Sequence, residues 1–443
     1  MQLDKQISEI QNVVADVLAL AKQKGATEAE ASMSKVQGIS VSTRMREVET
    51  MEFNNDGALG ISVYVGKCKG SASTADLSKE GLALTVEKAV QIAKYTNEDQ
   101  YTGLADAELM IEQPVDLELY YPKEFDTEEG LALAIAAEDA ALSASPLIDN
   151  SDGSSYNMNL GARVYGNSHG VNMGYPSSRY SLNCVMIAKQ HDEMQRDYAY
   201  TVARDYRELH SAAEIGKESA LNAVNRLGGR KLDTMNVPVL FHRELASSIF
   251  GHFISGISGG SLYRKSSFLL DSLGTQVLPD WLTIQERPLI KKGLASSAFD
   301  NEGVRTADME IVTDGVLNHY LLTSYSARRL GMQTNGHAGG IHNWFVKNTG
   351  QSDVELLKTM DKGLLVTELM GHGVNIVNGD YSRGAAGYWV ENGEIQYPVH
   401  EITIAGNLKE MLLDIQAIGA VQETRGSLQT GSVLIGNMAI AGN

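Results

Sequence analysis

Cysteine is nearly absent: the 443 residues hold two, Cys68 and Cys184, with no Cys-x-x-Cys spacing. Neither a disulfide framework nor a cysteine-rich zinc module can be built from them, and a reducing compartment is expected. Long apolar runs are missing too. No stretch reaches the ~20 residues that cross a bilayer, and the N-terminal Met1-Gln2-Leu3-Asp4-Lys5-Gln6 lacks the basic-then-apolar layout of a secretory signal. The expected location is the cytoplasm, with no membrane partner. Positive charge is scarce: 37 Lys and Arg against 55 Asp and Glu leave a net charge of −18. The clearest basic clusters, Arg230-Lys231, Arg264-Lys265 and Arg328-Arg329, are pairs and not stripes, which disfavours direct binding of nucleic acid. What is present, 43% hydrophobic and 21% charged residues, describes a soluble globular chain long enough to bury more than one core.

Periodicity predicts an α+β protein. Apolar residues recur at helical spacing from Ile7 to Leu18, with Gly25 as the stop. Alternation then predicts strands over 29–34, 39–44, 48–53 and 61–65, with Asn54-Asn55-Asp56-Gly57 as a hairpin turn. Helices are predicted over 78–95, over 126–145 with carboxylates at its start, and over 211–226, with an antiparallel meander before the last. Residues 96–122 read as a connector and 228–231 as a hinge. Beyond the hinge the chain is mostly β, barrel-like or a sandwich, with a few helices; Asp314-Gly315 and Glu391-Asn392-Gly393 signal hairpins. The expected division is 1–100, an N-terminal α+β domain; 101–230, a central α+β segment packing with it; and 231–443, a C-terminal β-rich domain. Helices in the N-terminal half are expected to pack on mixed or antiparallel sheets.

The run Phe241 to Phe253 carries His242, Glu244 and His252 in a predicted helix, so zinc is the first chemistry to test. A helical zinc pair needs two histidines one turn apart, with a glutamate beside the first. His242 and His252 are about 15 Å apart along a helix axis and on different sides of it. The positions four and five before His252 are Ser248 and Ser247. Surface or satisfied histidines are therefore the favoured reading. Gly256-Ile257-Ser258-Gly259-Gly260 matches a Gly-x-Ser-x-Gly elbow only formally, because a helix precedes it where a strand should. A glycine-rich cluster, Asn335 to Trp344, collects His337, His342, Asn343 and the indole; loops of that composition often touch ligands. A polar-capped turn is its plainer reading, and His372 could supply a third imidazole to a metal.

Ser326-Ala327-Arg328-Arg329-Leu330-Gly331-Met332, Thr334 to Gly340, and Asn378 to Gly393 resemble the TldD/TldE (PmbA) peptidase family, once described as modulators of DNA gyrase, in its TldE or PmbA branch. The resemblance covers nearly the whole chain. It implies that the TldD branch holds zinc through His-Glu-x-x-x-His and a late cysteine, and pairs with a TldE subunit as a cytoplasmic metallopeptidase. On that register Ser247 and Ser248 stand where a histidine and the glutamate would be, only His252 remains, and no cysteine follows Cys184.

The implied function is a non-catalytic subunit of a heteromeric zinc peptidase, with no catalytic residue and no metal of its own, zinc residing in the TldD-like partner. The complex would degrade or process small unfolded peptides, as in leader removal or antitoxin degradation. Homodimerisation without the partner is left open. Peptide contact is expected at Asn335, His337, His342, Asn343 and Trp344. Two rivals remain: a peptidase with its own metal site, built from His337, His342 and His372 or from His252 with distant carboxylates, and a non-proteolytic modulator of a toxin or gyrase system.

Overall fold

The structure, a computed structural model, describes residues 2–442. The N-terminal half contains α1 (Gln2–Gln23), β1 (Glu28–Arg44), β2 (Glu47–Val65), β3 (Cys68–Thr74) and α2 (Lys79–Tyr95), then, after an irregular connector with one 3-10 turn, α3 (Thr127–Ala144), β4 (Ile148–Asn167), β5 (Asn172–Gln190), β6 (Glu193–Ala203) and α4 (Ala212–Asn225). The six strands form one antiparallel sheet ordered β3-β2-β1-β4-β5-β6. One αβββα unit is thus followed by another, and the antiparallel β1–β4 pair at the centre relates them by an approximate two-fold axis. The helices start where carboxylates or hydroxyls accept the first free N–H groups: Ser78 caps α2, Asp126 caps α3, and Ser211 forms a capping box with Glu214.

Strand alternation decides which face the helices cover. Ala29, Ala31 and Met33 of β1 pack with Ile10, Val14 and Val17 of α1 and with Val86, Ala89 and Val90 of α2. Further along the same strand, Ile39 and Val41 share the side with Ala137 and Ala141 of α3 and Ile215 and Ala220 of α4. The opposite face carries Glu30, Ser32, Ser34, Ser40 and Ser42, and meets the C-terminal half where Tyr165 donates to the Glu302 carbonyl (2.8 Å) and its ring packs near Phe299.

One sequence expectation is overturned here. Asn54 to Gly57 do not turn; they lie inside the continuous strand β2, paired with Lys35 to Gly38 of β1. The hairpin reverses at Met45-Arg46, both left-handed (φ 53° and 70°) though neither is glycine or asparagine. The buried Glu138 of α3 makes this turn tenable. Its carboxylate accepts the backbone N–H groups of Met45 (3.0 Å) and Arg46 (2.9 Å), the Thr43 hydroxyl (2.9 Å) and the Ser151 hydroxyl.

The C-terminal half contains β7 (Met235–Phe241), α5 (Arg243–Ile257), α6 (Gly259–Tyr263), β8 (Ile284–Glu286), β9 (Met309–Thr313), β10 (Val316–Leu317), α7 (Ser324–Leu330), β11 (Trp344–Val346), α8 (Asp353–Met360), β12 (Gly363–Met370), β13 (Asp380–Glu391), β14 (Glu394–Asn407), α9 (Leu408–Leu413), β15 (Ile415–Ile418), β16 (Leu428–Gln429) and β17 (Val433–Gly442). Strands β14-β13-β12-β7-β17 close on themselves through β14–β17 pairing, a five-stranded barrel with β15 appended to β17. Val239, Phe241, Val366, Ile402, Ile404 and Ile435 fill a core shared with Ile249, Phe250 and Phe253 of α5. A second sheet, β10-β9-β8-β11-β16, lies beside it. Both hairpin signals in this half hold: Asp314-Gly315 and Asn392-Gly393 supply the paired positive φ angles that a two-residue turn needs. The strand after Asp314-Gly315 is short, Val316–Leu317. At the 228–231 crossing, Arg230 donates its N–H to the Pro398 carbonyl (2.9 Å) and stacks on Tyr397 (4.4 Å). No helix among the described residues is long and apolar enough to cross a membrane.

Candidate functional site

The glycine-rich loop between α7 and β11 is folded onto Glu286, the last residue of β8. His337 Nε2 lies 2.5 Å from one carboxylate oxygen and His342 Nδ1 3.1 Å from the other, which also accepts the His342 backbone N–H. His337 Nδ1 faces Asn335 Oδ1 at 2.9 Å, and Asn335 donates through Nδ2 to the Tyr320 carbonyl. Both ring nitrogens of His337 therefore meet acceptor oxygens. Burial pushes the Glu286 carboxyl up, but hydrogen bonds and charge from the two imidazoles outweigh it and hold the group at about 2.

Among the described residues, Glu286, His337 and His342 are the group whose ligand atoms converge closely enough, within 4.8 Å, to suggest a metal. The contacts instead read as a closed hydrogen-bonded set. The imidazoles address the carboxylate itself, with His337 at hydrogen-bond distance, and all three residues are buried. His372 is exposed, in the loop after β12, and outside this group.

The other expected contact residues are interior as well. Asn343 is buried at a left-handed φ of 45°, donates to Ser296 Oγ (2.7 Å) and the Arg287 carbonyl, and accepts from the Ala295 N–H. Trp344 is fully buried against Phe253, at 6.4 Å between rings. Solvent reaches the loop at Gly339-Gly340 and, partly, at Asn335 and Ile341. Behind the tip, Asp300 accepts the Ala338 N–H (2.9 Å); burial, reinforced by Glu302, raises its carboxyl to about 7.

The zinc-motif register falls on α5. Its apolar side, Ala246, Ile249, Phe250, Phe253 and Ile257, enters the core, which leaves Ser247, Ser248 and His252 on partly buried flanks. Ser248 and His252, one turn apart, share a side of the helix. The His252 ring meets Tyr381 of β13 edge-on at 5.9 Å. Ser248 Oγ, His252 Nε2, Tyr381 Oη and Arg383 Nε are buried and without a hydrogen-bond partner among the described residues. Burial lowers the pKa of His252, and the charge of Arg383 lowers it further. These residues do not fit a zinc ion: one imidazole, hydroxyls in place of the second imidazole and the carboxylate, and a guanidinium whose charge opposes a divalent cation.

Glu286, Tyr381 and Arg383 were not singled out from sequence. One signal for Glu286 is its phase: in β8 it follows Ile284 at a spacing of two, a charge on an apolar face. Tyr381 and Arg383 lie within Asn378 to Gly393, a stretch that carries the family resemblance.

Family models described as PmbA/TldA metallopeptidase domain 1, central domain and C-terminal domain match residues 29–93, 120–227 and 234–442. The chain is 53% identical to Metalloprotease PmbA of Escherichia coli O157:H7 across 100% of this chain and 98% of that one. Its fold superposes on a crystal structure from Bacteroides thetaiotaomicron, described by the words "modulator of DNA gyrase", with a TM-score of 0.93 at 25% identity, covering 98% of this chain and 99% of the other. TldE from Thermococcus kodakarensis shares the fold at a TM-score of 0.85 and 19% identity, over 97% and 100% of the two chains.

Proposed function

The chain belongs to the PmbA/TldA metallopeptidase family, and from that premise we propose that it is the non-catalytic, TldE-type subunit of a heteromeric zinc peptidase acting on small unfolded peptides. The observation that carries this reading is the constitution of α5. Ser247 and Ser248 occupy the places of a ligand and of the general base, and Arg383 stands beside the one remaining imidazole, His252. Without a metal to lower the pKa of a bound water, such a site has no nucleophile for an amide. Zinc is assigned to a TldD-like partner, and the location to the cytoplasm.

In this role the chain shapes a shared chamber and admits extended peptide. Peptide contact by the loop from Asn335 to Trp344 is proposed for its exposed tip, Gly339-Gly340 with Asn335, while His337, His342, Asn343 and Trp344 hold that tip in place. An accessible sheet edge that pairs with backbone would accept many sequences, provided they are unfolded. The test is a peptide-cleavage assay on this chain, on the TldD-like chain, and on the mixture. Turnover that requires the partner and rises when this chain is added supports the proposal; turnover by this chain alone refutes it.

A further inference from the structure

Four buried polar atoms without partners among the described residues lie at the join of α5 and β13: Ser248 Oγ, His252 Nε2, Tyr381 Oη and Arg383 Nε. They form two pairs. Ser248 and His252 lie one turn apart on the helix, and Tyr381 and Arg383 are two residues apart on the strand, so each pair shares a side of its element. The edge-on contact of His252 with Tyr381 at 5.9 Å brings the pairs face to face. Tyr381 is 1% exposed, so water does not readily satisfy its hydroxyl. A buried polar group left unmade costs about 1–3 kcal/mol, and four in one place are a poor design for packing alone.

The charge of the set is one-sided. Two hydroxyls and an imidazole can donate as well as accept, the guanidinium only donates, and Arg383 forms no ion pair among the described residues. The charge of Arg383 also acts on His252. What would complete the set is a compact, acceptor-only anion, and a planar carboxylate suits the guanidinium. Ser248, His252 and Arg383 are partly exposed as residues, whereas the four unpartnered atoms themselves are covered.

We propose that Ser248, His252, Tyr381 and Arg383 bind a carboxylate of an extended peptide, either its C-terminus or an acidic side chain. This rests on the reading of the chain as a peptide-handling subunit and gives that subunit an anchoring group: the helix position that holds a cation in the catalytic branch holds an anion here.

The test uses the purified full-length chain without partner or metal, titrated calorimetrically with three versions of one unstructured octapeptide. The first has a free C-terminus and no acidic residue, the second is amidated, and the third is amidated with a single glutamate. At least one carboxylate-bearing peptide is expected to bind about tenfold or more tighter than the neutral amide, and whichever does so identifies the source. Arg383→Gln should abolish that preference and Arg383→Lys retain part of it. Tyr381→Phe, which keeps the ring and the packing, should weaken it severalfold. Equal binding of the three peptides, or a preference that survives Arg383→Gln, overturns the proposal. Cleavage by the two-subunit mixture is a separate readout, so the pocket and the subunit role fail independently.

Discussion

Glu286 is a buried carboxylate shared by two imidazoles and a backbone N–H, and its stability contribution is readable from its titration. It ionises near 2 in the fold against 4.5 as its ordinary value, so its stabilisation is complete above about pH 4.5 and is lost as pH falls toward 2. That shift corresponds to about 3 kcal/mol. Glu286→Gln is therefore expected to lower stability at pH 7 by roughly that amount in urea unfolding, with the gap narrowing below pH 4.5. Equal stabilities at pH 7 would contradict the assignment. His337→Ala, which strands a buried carboxylate oxygen of Glu286, is expected to cost stability, read as a lower unfolding midpoint, before it alters cleavage by the two-subunit mixture. If the variant keeps its midpoint and loses cleavage, the imidazole acts on substrate directly.

The β1–β2 hairpin shows why some elements are legible and others are not. Its turn residues, Met45 and Arg46, carry no local signal, because the left-handed turn is held by Glu138, some ninety positions away on α3. The Asn54 to Gly57 stretch carries a strong local signal and is nevertheless extended, since pairing with β1 satisfies its backbone. Where turn and signal coincide, at Asp314-Gly315 and Asn392-Gly393, the sequence reading holds, as it does for the helices begun by Ser78, Asp126 and Ser211. Glu138→Ala is expected to remove about 2–4 kcal/mol, because several donors lose one acceptor, and Met45-Arg46→Asn-Gly to add up to about 1 kcal/mol by relieving the turn; thermal unfolding reads both. In the barrel, a Cβ on Gly387 would meet the Leu365 carbonyl oxygen at 1.9 Å. Gly387→Ala should therefore disrupt β12–β13 pairing, seen as a large drop in melting temperature or loss of soluble protein; an unchanged midpoint would show that the strands can separate there without cost.

At the scale of the molecule, a duplicated helix-covered sheet joins a closed barrel, and the polar face of that sheet looks toward the barrel half at Tyr165 and Glu302. The α+β class and the β-rich second half follow from periodicity. The duplication does not, because two αβββα units can share a topology without sharing residues. The candidate site was half legible: the serines at 247 and 248 and the lack of a late cysteine are visible in the chain, whereas Tyr381 and Arg383 reach His252 only through the barrel. Ser247, Ser248 and His252 are read as holding no catalytic metal, and zinc analysis of chain purified without chelator, with and without His252→Ala, decides it. Zinc far below one equivalent is expected in both proteins; one equivalent that disappears with His252, together with peptide turnover by the isolated chain, would overturn the reading.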